Sequence, residues 1–433
     1  MPRRLTACPV LNHIIDCSSG VNRLTAILPL TAILTLTRDS HSPLTCRSKL
    51  IERRMTTQVS FVARRAKNDY SLLTNHMIKI THIIPNLLYG GAERLLLDIC
   101  KKINKTKFEV SVVVLKNNNT LVEKFEDLGI TVKVFNKKKK FDMDVINRMT
   151  EYLKETKPDI VHTHLFGGDF WGAKSAREAG IKKIVSTKHD ILDEGLLRNY
   201  LARKTRKKFT GIIAISEAIR NNLIKLEKLP LEKISVIKNG IDTAKFTAEK
   251  TKIFKGDNLT IGSVGRLSKE KGHKHLIRAC PFIKNRDWKL YLVGDGDMDR
   301  ELQSSTRSLG IEGRVVFTGS VDDIREYLNK FDIFVLPSIS EGLSLAVLEA
   351  ASAGKFIIAT NVGGVPEIID DKKDGLLFTP KNIEQLVAHI NWADEHREDA
   401  SKMAKLLQEK VINEFDINNV IKKYEDFYIK VMR

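Results

Sequence analysis

The chain has 433 residues, of which 42% are hydrophobic and 29% are charged. This length suits two or three domains, and the composition excludes collagen-like and wholly disordered proteins. Five cysteines with no C-x-x-C spacing exclude a disulfide scaffold and argue against structural zinc. The formal net charge of +19 predicts a polyanionic partner, and leaves nucleic acid, anionic lipid and nucleotide phosphates equally open.

Residues 1–76 differ in composition from the rest of the chain. They carry 9 Arg and 2 Lys against 4 acidic residues, whereas residues 77–433 carry 16 Arg and 45 Lys. The apolar run at 24–37 is too short and too rich in Thr to span a bilayer. We interpret 1–76 as a poorly ordered extension outside the folded unit, with a targeting peptide as the alternative.

From Met77 onward, short β-branched runs alternate with helical segments. This alternation predicts two parallel sheets, each covered on both faces. The predicted strands are 78–85, 108–116, 131–136, 159–166, 183–189, 210–216 and 233–240, then 259–265, 288–294, 314–320, 332–338 and 355–361. The predicted fold class is therefore α/β, with two doubly wound Rossmann-like domains facing each other across a cleft and ligands at the carboxyl ends of the strands.

The same pattern sets the domain boundaries. The first domain is predicted at 77–240 and the second at 259–414, because the polar stretch 241–258 between them is typical of a linker. We expect the last segment, 415–433, to form a helix that packs back on the first domain.

The segment 334–354 carries the most chemical information. A buried strand ends at Pro337, Glu341 follows in a loop, and an apolar helix begins near Ser344, which suits an N-cap. The backbone N–H groups at the start of this helix predict an anion site, formed by Gly342, Leu343 and Ser344.

Glu349 lies inside this apolar helix, where a carboxylate is costly unless something hydrogen-bonds to it. It follows Glu341 by eight residues, roughly 12 Å if all of them were helical. A single ligand therefore meets both acids only if Glu341 lies in the loop before the helix. The alternative for Glu349 is a structural bond to a neighbouring backbone N–H or Lys.

Glycines and cations mark further strand ends. Arg266 and Lys271 come just past the end of a strand, where a diphosphate would find cations. Gly90 and Gly91 follow the first strand and precede a helix beginning near Ala92, so this turn can approach a ligand closely.

Glu341, seven residues and Glu349 match the E-x7-E signature of the family 4 glycosyltransferases of the GT-B fold. The resemblance covers about residues 77–433 and rests on further motifs in the same order. These are GGAER at 90–94, STKHD at 186–190, ISEAIR at 215–220, VIKNGID at 236–242, GRLSKEKGHKHLI at 265–277, LVGDGD at 292–297, FTGSV at 317–321 and VGGVPEII at 362–369.

The resemblance implies a retaining, hexosyltransferase-type enzyme that moves a sugar from a nucleotide diphosphate donor, UDP by default. The implied acceptor is a lipid-linked or cell-envelope glycan, and the implied reaction is same-face attack through an oxocarbenium-like species. No metal or other cofactor is expected, since the cations Arg266 and Lys271 can neutralise the diphosphate, and no nucleic-acid partner is expected. The implied location is cytoplasmic, at the inner face of the membrane.

The resemblance also assigns roles to residues. Arg266 and Lys271 would neutralise the diphosphate, Glu349 would hold the ribose, and Glu341 would hold sugar hydroxyls. The implied catalytic residues are His189, Arg266, Lys271 and Glu341. The implied donor-binding residues are Gly90, Gly91, Gly265, Gly294, Ser320, Val321, Gly342, Leu343, Ser344 and Glu349.

Other polar residues give weaker signals. The segment 195–209 combines apolar and basic residues, and with Lys137–Lys140 it suits an anionic membrane surface; a helix with a solvated basic side is the alternative. We expect His162 and His164 to point to opposite faces of a strand, which argues against a shared metal site. Asp169, in a glycine-rich turn, is a weak candidate for acceptor contact.

Three other functions remain as alternatives. A nucleotide-sugar epimerase shares the fold, although the E-x7-E context argues against it. A dinucleotide dehydrogenase is disfavoured because position 299 is Asp, which breaks the G-x-G-x-x-G pattern that begins at Gly294. A non-catalytic basic protein that binds nucleic acid or membrane would have no need for Glu341 and Glu349.

Overall fold

The structure is a computed structural model that describes residues 77–88, 90–117, 119–138, 142–190, 196–247 and 253–433, without the side chains of 196–199. The predicted extension at 1–76 lies outside the described residues. So do Lys139, Lys140 and positions 248–252 of the predicted linker.

The first domain is built on a seven-stranded parallel sheet in the order β3-β2-β1-β4-β5-β6-β7. The order reverses between β1 and β4, which in a doubly wound fold is where ligands bind. The strands are β1 Ile78–Ile84, β2 Phe108–Val114, β3 Thr131–Val134, β4 Ile160–His164, β5 Lys183–Lys188, β6 Gly211–Ala214 and β7 Ile234–Val236.

Helices connect these strands and cover the sheet. They are α1 Gly91–Lys102, α2 Val122–Glu126, α3 Met143–Thr156, α4 Leu165–Gly167, α5 Ala173–Glu178, α6 Leu196–Arg206, α7 Glu217–Lys225 and α8 Thr243–Thr247. A π-helical turn, Gly168–Gly172, joins α4 to α5, and a 3₁₀ turn, Leu231–Lys233, precedes β7. Helix α8 lies within the stretch predicted as a linker.

The second domain repeats the arrangement with a six-stranded parallel sheet in the order β10-β9-β8-β11-β12-β13. Its strands are β8 Leu259–Val264, β9 Trp288–Val293, β10 Val315–Phe317, β11 Ile333–Leu336, β12 Phe356–Thr360 and β13 Leu376–Phe378. Strand β13 was not among the predicted strands, because three residues next to a glycine give little periodic signal.

The helices of the second half are α9 His273–Ala279, α10 Asp299–Ser308, α11 Arg325–Leu328, α12 Leu345–Ser352, α13 Ile383–Glu395, α14 Arg397–Glu414 and α15 Ile417–Met432. The 3₁₀ turns are Lys269–Lys271, Cys280–Phe282, Glu312–Arg314 and Val365–Glu367. Of the helices in the described part of the chain, none is both long enough and apolar enough to cross a bilayer.

Helix α15 ends the chain against the first domain. Its buried residues Val420, Ile421 and Tyr424 share a hydrophobic cluster with Ile80 of β1 and with residues of α1. The two parallel sheets and their strand orders confirm the predicted α/β fold class of two Rossmann-like domains.

Candidate active site

In the second domain, backbone hydrogen bonds hold three strand-end loops together. The N–H of Gly265, after β8, donates to the carbonyl of Val293 at 3.0 Å. The N–H of Gly294, after β9, donates to the carbonyl of Gly319, after β10, also at 3.0 Å. Gly294 has a φ of +138°, and a Cβ there would lie 2.1 Å from the Gly265 carbonyl oxygen. Only glycine fits this contact.

Ser320 and Val321 continue the loop after β10. Ser320 is exposed and Val321 is partly buried, so this loop offers both a hydroxyl and an apolar edge beside Gly294.

The loop 265–272 places two cations at the same edge. Arg266 is exposed, and Lys271 is partly buried with its Nζ 2.6 Å from Oε1 of Glu341. Ser338 donates to the same oxygen at 2.7 Å. Glu341 does lie in the loop before helix α12, as its proposed contact with the sugar requires. Among the described residues, Oε2 of Glu341 has no hydrogen-bond partner.

Helix α12 begins at Leu345, after Ser344 in the N-cap position. The N-cap position of Ser344 is as predicted, although its hydroxyl makes no capping hydrogen bond. Within the described part of the chain, nothing accepts from the backbone N–H groups of Gly342, Leu343 and Ser344. These amides therefore remain suited to an anion.

The first domain reaches this helix from the other side of the cleft. A Cβ at Gly342 would lie 2.1 Å from the carbonyl oxygen of His189, and a Cβ at Gly91 would lie 3.5 Å from Leu345. The turn at Gly90 and Gly91 therefore lies close to the start of α12, and His189 lies close to the loop that carries Glu341.

Two charged residues of the GGAER motif also face the second domain. Arg94 pairs with Glu349, with Nη1 3.1 Å from Oε1. Burial raises the pKa of Glu93, and the positive charge of Arg266 opposes that rise. The site residues predicted from this motif were the glycines, and Glu93 and Arg94 were not among them. The sequence signal was the adjacent charges Glu93 and Arg94, which stand one residue after the glycines in the first turn of a predicted helix.

Glu349 is the most strongly perturbed carboxylate of the site. Burial raises its pKa to about 7, although the guanidinium of Arg94 opposes the rise. Asp98 of α1 lies close enough to raise it further. The partner of Glu349 in this structure is thus an arginine of the opposite domain, not the backbone N–H or lysine considered as the structural alternative.

The raised pKa predicts how stability responds to replacing Glu349. Between an unfolded pKa of about 4.5 and a folded pKa of about 7, the folded state holds a proton that the unfolded state releases. Ionisation of Glu349 therefore lowers the free energy of unfolding as pH rises from about 4.5 to about 7. We expect Glu349→Gln to stabilise the protein at pH 8 by on the order of 2 kcal/mol and to have little effect at pH 5. Urea unfolding at both pH values measures this.

Glu409→Gln, on the exposed side of α14, is the matched control and should behave alike at both pH values. Equal effects of Glu349→Gln at pH 5 and pH 8, or a loss of stability at pH 8, would contradict the buried ionised carboxylate.

His189 follows β5 and is partly exposed. Its Nε2 lies 3.3 Å from Nδ1 of His164. Burial lowers the pKa of His189 to about 4, so its ring is neutral near pH 7.

The expectation that His162 and His164 point to opposite faces is wrong. Residues two apart on a strand share a face, and the two rings stack with centroids 4.4 Å apart. His82 of β1 joins them, and ligand-type nitrogens of the three buried rings lie within 4.8 Å of one another. The three rings are therefore close enough to share a metal ion, contrary to the prediction, although His162 already bonds Tyr428 at 2.7 Å and Thr187 at 2.8 Å.

The expectation for Asp169 is also wrong. Asp169 is buried and accepts hydrogen bonds from Thr163 at 2.7 Å and Ser186 at 2.6 Å. Arg206 pairs with it at 2.9 Å and with Glu227 at 2.6 Å. Asp169 is therefore a structural carboxylate, and Arg206 does not belong to the basic surface predicted at 195–209.

Comparisons with known proteins match this architecture. The family model described as Glycosyltransferase Family 4 matches residues 89–245, and the one described as Glycosyl transferases group 1 matches residues 245–409. Together these matches run from the glycine turn to helix α14. The chain belongs to the family 4 glycosyltransferases. It is therefore an enzyme of the hexosyltransferase type and not a non-catalytic basic protein.

Several known proteins are similar to this chain. The Escherichia coli UDP-Gal:alpha-D-GlcNAc-diphosphoundecaprenol alpha-1,3-galactosyltransferase is 28% identical over 387 residues, covering 83% of this chain and 98% of the relative. The Bacillus anthracis N-acetyl-alpha-D-glucosaminyl L-malate synthase is 27% identical, covering 68% of this chain and 80% of the relative. Among solved structures, Anabaena HepE in complex with UDP and glucose shares the fold with a TM-score of 0.75 at 24% identity, covering 82% of this glycosyltransferase and 100% of HepE.

Proposed function

We propose that this glycosyltransferase moves a hexose from a UDP-sugar to a lipid-linked or cell-envelope glycan with retention of anomeric configuration. The observation that carries the proposal is the Lys271–Glu341 pair at 2.6 Å. A lysine suited to a diphosphate and a carboxylate suited to sugar hydroxyls thus lie side by side, next to the backbone amides of Gly342, Leu343 and Ser344, and this supports the proposal. The E. coli relative, whose donor is UDP-galactose and whose acceptor is lipid-linked, supports the donor and acceptor classes.

Three parts of the proposed site divide the donor between them. Arg266 and Lys271 hold the diphosphate, and Glu349 accepts hydrogen bonds from the ribose hydroxyls. Glu341 and the amides of Gly342 and Leu343 hold sugar hydroxyls, with His189 on the opposite wall. Arg94 and the ribose compete for the carboxylate of Glu349. The ribose therefore has to share this carboxylate with Arg94 or displace Arg94 from it.

The proposed reaction breaks the bond between the anomeric carbon and the oxygen of the β-phosphate. Negative charge grows on the departing diphosphate, and Arg266 and Lys271 stabilise it electrostatically. The acceptor hydroxyl attacks from the face that the diphosphate leaves, so its oxygen bonds to the anomeric carbon and its proton passes to the released phosphate. No residue of the site is assigned as a covalent nucleophile.

A thermal-shift screen against UDP, GDP and ADP tests the nucleotide. A ligand that binds only the folded state stabilises it by RT ln(1 + [L]/Kd), about 2.7 kcal/mol at one hundred times Kd. We expect the largest shift with UDP. A larger shift with GDP or ADP would overturn the UDP assignment, and no shift with any of the three would contradict a nucleotide-sugar donor.

A lipid-linked acceptor requires contact with a membrane, and one surface of the first domain suits it. The end of α6 and the loop 226–233 are adjacent, since Lys233 Nζ donates to the carbonyl of Lys207 at 3.0 Å. The apolar side chains on this surface are unusually exposed: Tyr200 by 61%, Leu226 by 70% and Leu231 by 52%. The exposed lysines around them are Lys204, Lys207, Lys208, Lys225 and Lys228. We place the enzyme at the cytoplasmic face of a membrane on this basis.

We expect the protein to sediment with anionic vesicles and not with neutral ones. Binding should weaken as salt rises, because exposed charges are screened over about 8 Å at physiological ionic strength. The double variant Lys207→Glu with Lys208→Glu should abolish sedimentation. The control is Lys402→Glu with Lys405→Glu on α14, which makes the same charge change on the second domain. If both double variants behave alike, or if neutral and anionic vesicles bind equally, the exposed lysines are only a solvated surface.

A further inference from the structure

A line of three histidines leads from the interior of the first domain to the candidate active site. His82 on β1 is the register partner of His162 on β4, and His164 on β4 is the partner of Thr187 on β5. Partnered residues point to the same face of a sheet, as do residues two apart on one strand. His189, two residues beyond Thr187, continues this face past the end of β5.

The rings of this line are joined end to end. Nδ1 of His82 lies 3.0 Å from Nε2 of His164, and Nδ1 of His164 lies 3.3 Å from Nε2 of His189. We call His82, His164 and His189 the histidine row. Both links pair one ring nitrogen with another, so each needs one N–H group and one lone pair.

The rings of the row are neutral near pH 7. Burial lowers the pKa of His82 to about 3 and that of His189 to about 4, and it also lowers the pKa of His164. A neutral imidazole carries one N–H, so the two links must run in the same direction. Either every N–H of the row donates toward the cleft, or every N–H donates toward the interior.

The inner end of the row decides the direction. Nε2 of His82 is buried and has no hydrogen-bond partner among the described residues. If the links ran inward, this atom would carry a buried N–H with no acceptor, which native proteins almost never tolerate. If they run outward, it carries only an unused lone pair. His82 therefore donates to His164, and His164 donates to Nε2 of His189.

We propose that His82 and His164 are positioning residues that hold His189 in the tautomer with its proton on Nδ1. The bond at one ring nitrogen sets the protonation of the other. His189 then offers Nδ1–H as a hydrogen-bond donor, and an oxygen of the donor sugar is its partner. This last step rests on the proposed function, whereas the tautomer itself does not.

The same cluster does not favour a metal. Both ring nitrogens of His162 are already bonded, to Tyr428 and Thr187. Nδ1 of His82 and Nε2 of His164 are bonded to each other. A metal ion would have to break these bonds.

Nitrogen NMR of the full-length protein labelled with ¹⁵N-histidine tests the tautomer without any donor or acceptor. His189 is assigned by comparison with His189→Ala. We expect its Nδ1 to show the shift of a protonated nitrogen and its Nε2 that of a bare one. In His164→Leu this preference should be lost. His162→Leu, which removes a buried histidine outside the row, should leave the His189 signals unchanged and controls for general loosening.

Measurements of transferase activity distinguish a positioning role of His164 from a role in packing alone. His164→Leu should lower kcat/KM with a UDP-sugar by roughly 10- to 100-fold while leaving the affinity for UDP alone unchanged. His164→Asn keeps an amide N–H near the position of Nδ1, so it should recover most of the loss.

A protonated Nε2 on His189 in the wild type, or the same tautomer in His164→Leu, would overturn the proposal. Stoichiometric zinc in the purified protein that is lost in His164→Leu would also overturn it. The NMR result stands even if no UDP-sugar is turned over, so a failure of the proposed function would be recognised separately.

Discussion

Replacing Lys271 with Ala should lower kcat/KM for a nucleotide-sugar donor by the equivalent of about 2 to 4 kcal/mol, or roughly 30- to 900-fold. The reason is that Lys271 lies at a strand end of the second domain, where the charge of the departing diphosphate collects. In the structure without donor, Nζ of Lys271 lies 2.6 Å from Oε1 of Glu341. Arg266→Ala should show a loss of the same order. Initial rates of UDP release at varied donor concentration measure both.

Lys269→Ala is the matched control, since this exposed lysine belongs to the same loop and has no proposed role. Lys271→Arg keeps the charge and should recover part of the activity. Because Lys271→Ala leaves Glu341 without its cation, thermal unfolding must first show that the variant is folded. Wild-type kinetics in a folded Lys271→Ala protein would remove this residue from the donor site.

The two glutamates should separate binding from turnover. Glu349→Gln should weaken UDP binding by about 1 kcal/mol or more, because a charge-assisted bond to the ribose becomes a neutral one. Glu341→Gln should leave UDP binding nearly unchanged and reduce turnover, because the proposed partner of its carboxylate is the sugar, which UDP lacks. Calorimetric titration of both variants with UDP, together with their kcat values, tests this.

The pH dependence adds a second test of Glu349. Its pKa of about 7 means that the ionised acceptor becomes available only as pH rises, so wild-type affinity for UDP should increase between pH 6 and pH 8. In Glu349→Gln, the part of this increase in affinity that comes from ionisation of Glu349 should be lost. The part that comes from ionisation of UDP itself should remain in both proteins. If Glu341→Gln weakens UDP binding and Glu349→Gln does not, the two roles are reversed.

Much of the fold follows from local patterns in the sequence. β-branched runs such as 108–116 are buried on both faces of a parallel sheet, and such runs stand out against the charged helices between them. Strand β13 was missed because Leu376–Phe378 is too short to show a period. Sequence also placed Glu341 in a loop and Glu349 in a helix, because the apolar run after Ser344 has a clear start.

Contacts between distant segments were beyond the sequence. Arg94 and Glu349 are 255 residues apart, and no local pattern announces their pairing. Arg206 was read as part of a basic surface, although Asp169 and Glu227 hold it in the interior. The error over His162 and His164 was different in kind, because the two-residue repeat of a strand predicts a shared face.

Proton NMR of donor breakdown is the most direct test of sugar transfer from a nucleotide diphosphate donor in this cleft. Without an acceptor, water takes the acceptor's place, so the protein should slowly convert a UDP-hexose to UDP and free hexose. We expect the hexose to appear first as the α-anomer, before it equilibrates in solution, and we expect Lys271→Ala to slow its appearance. No release of UDP from any UDP-hexose tried, an equal rate with Lys271→Ala, or first appearance of the β-anomer would contradict this expectation.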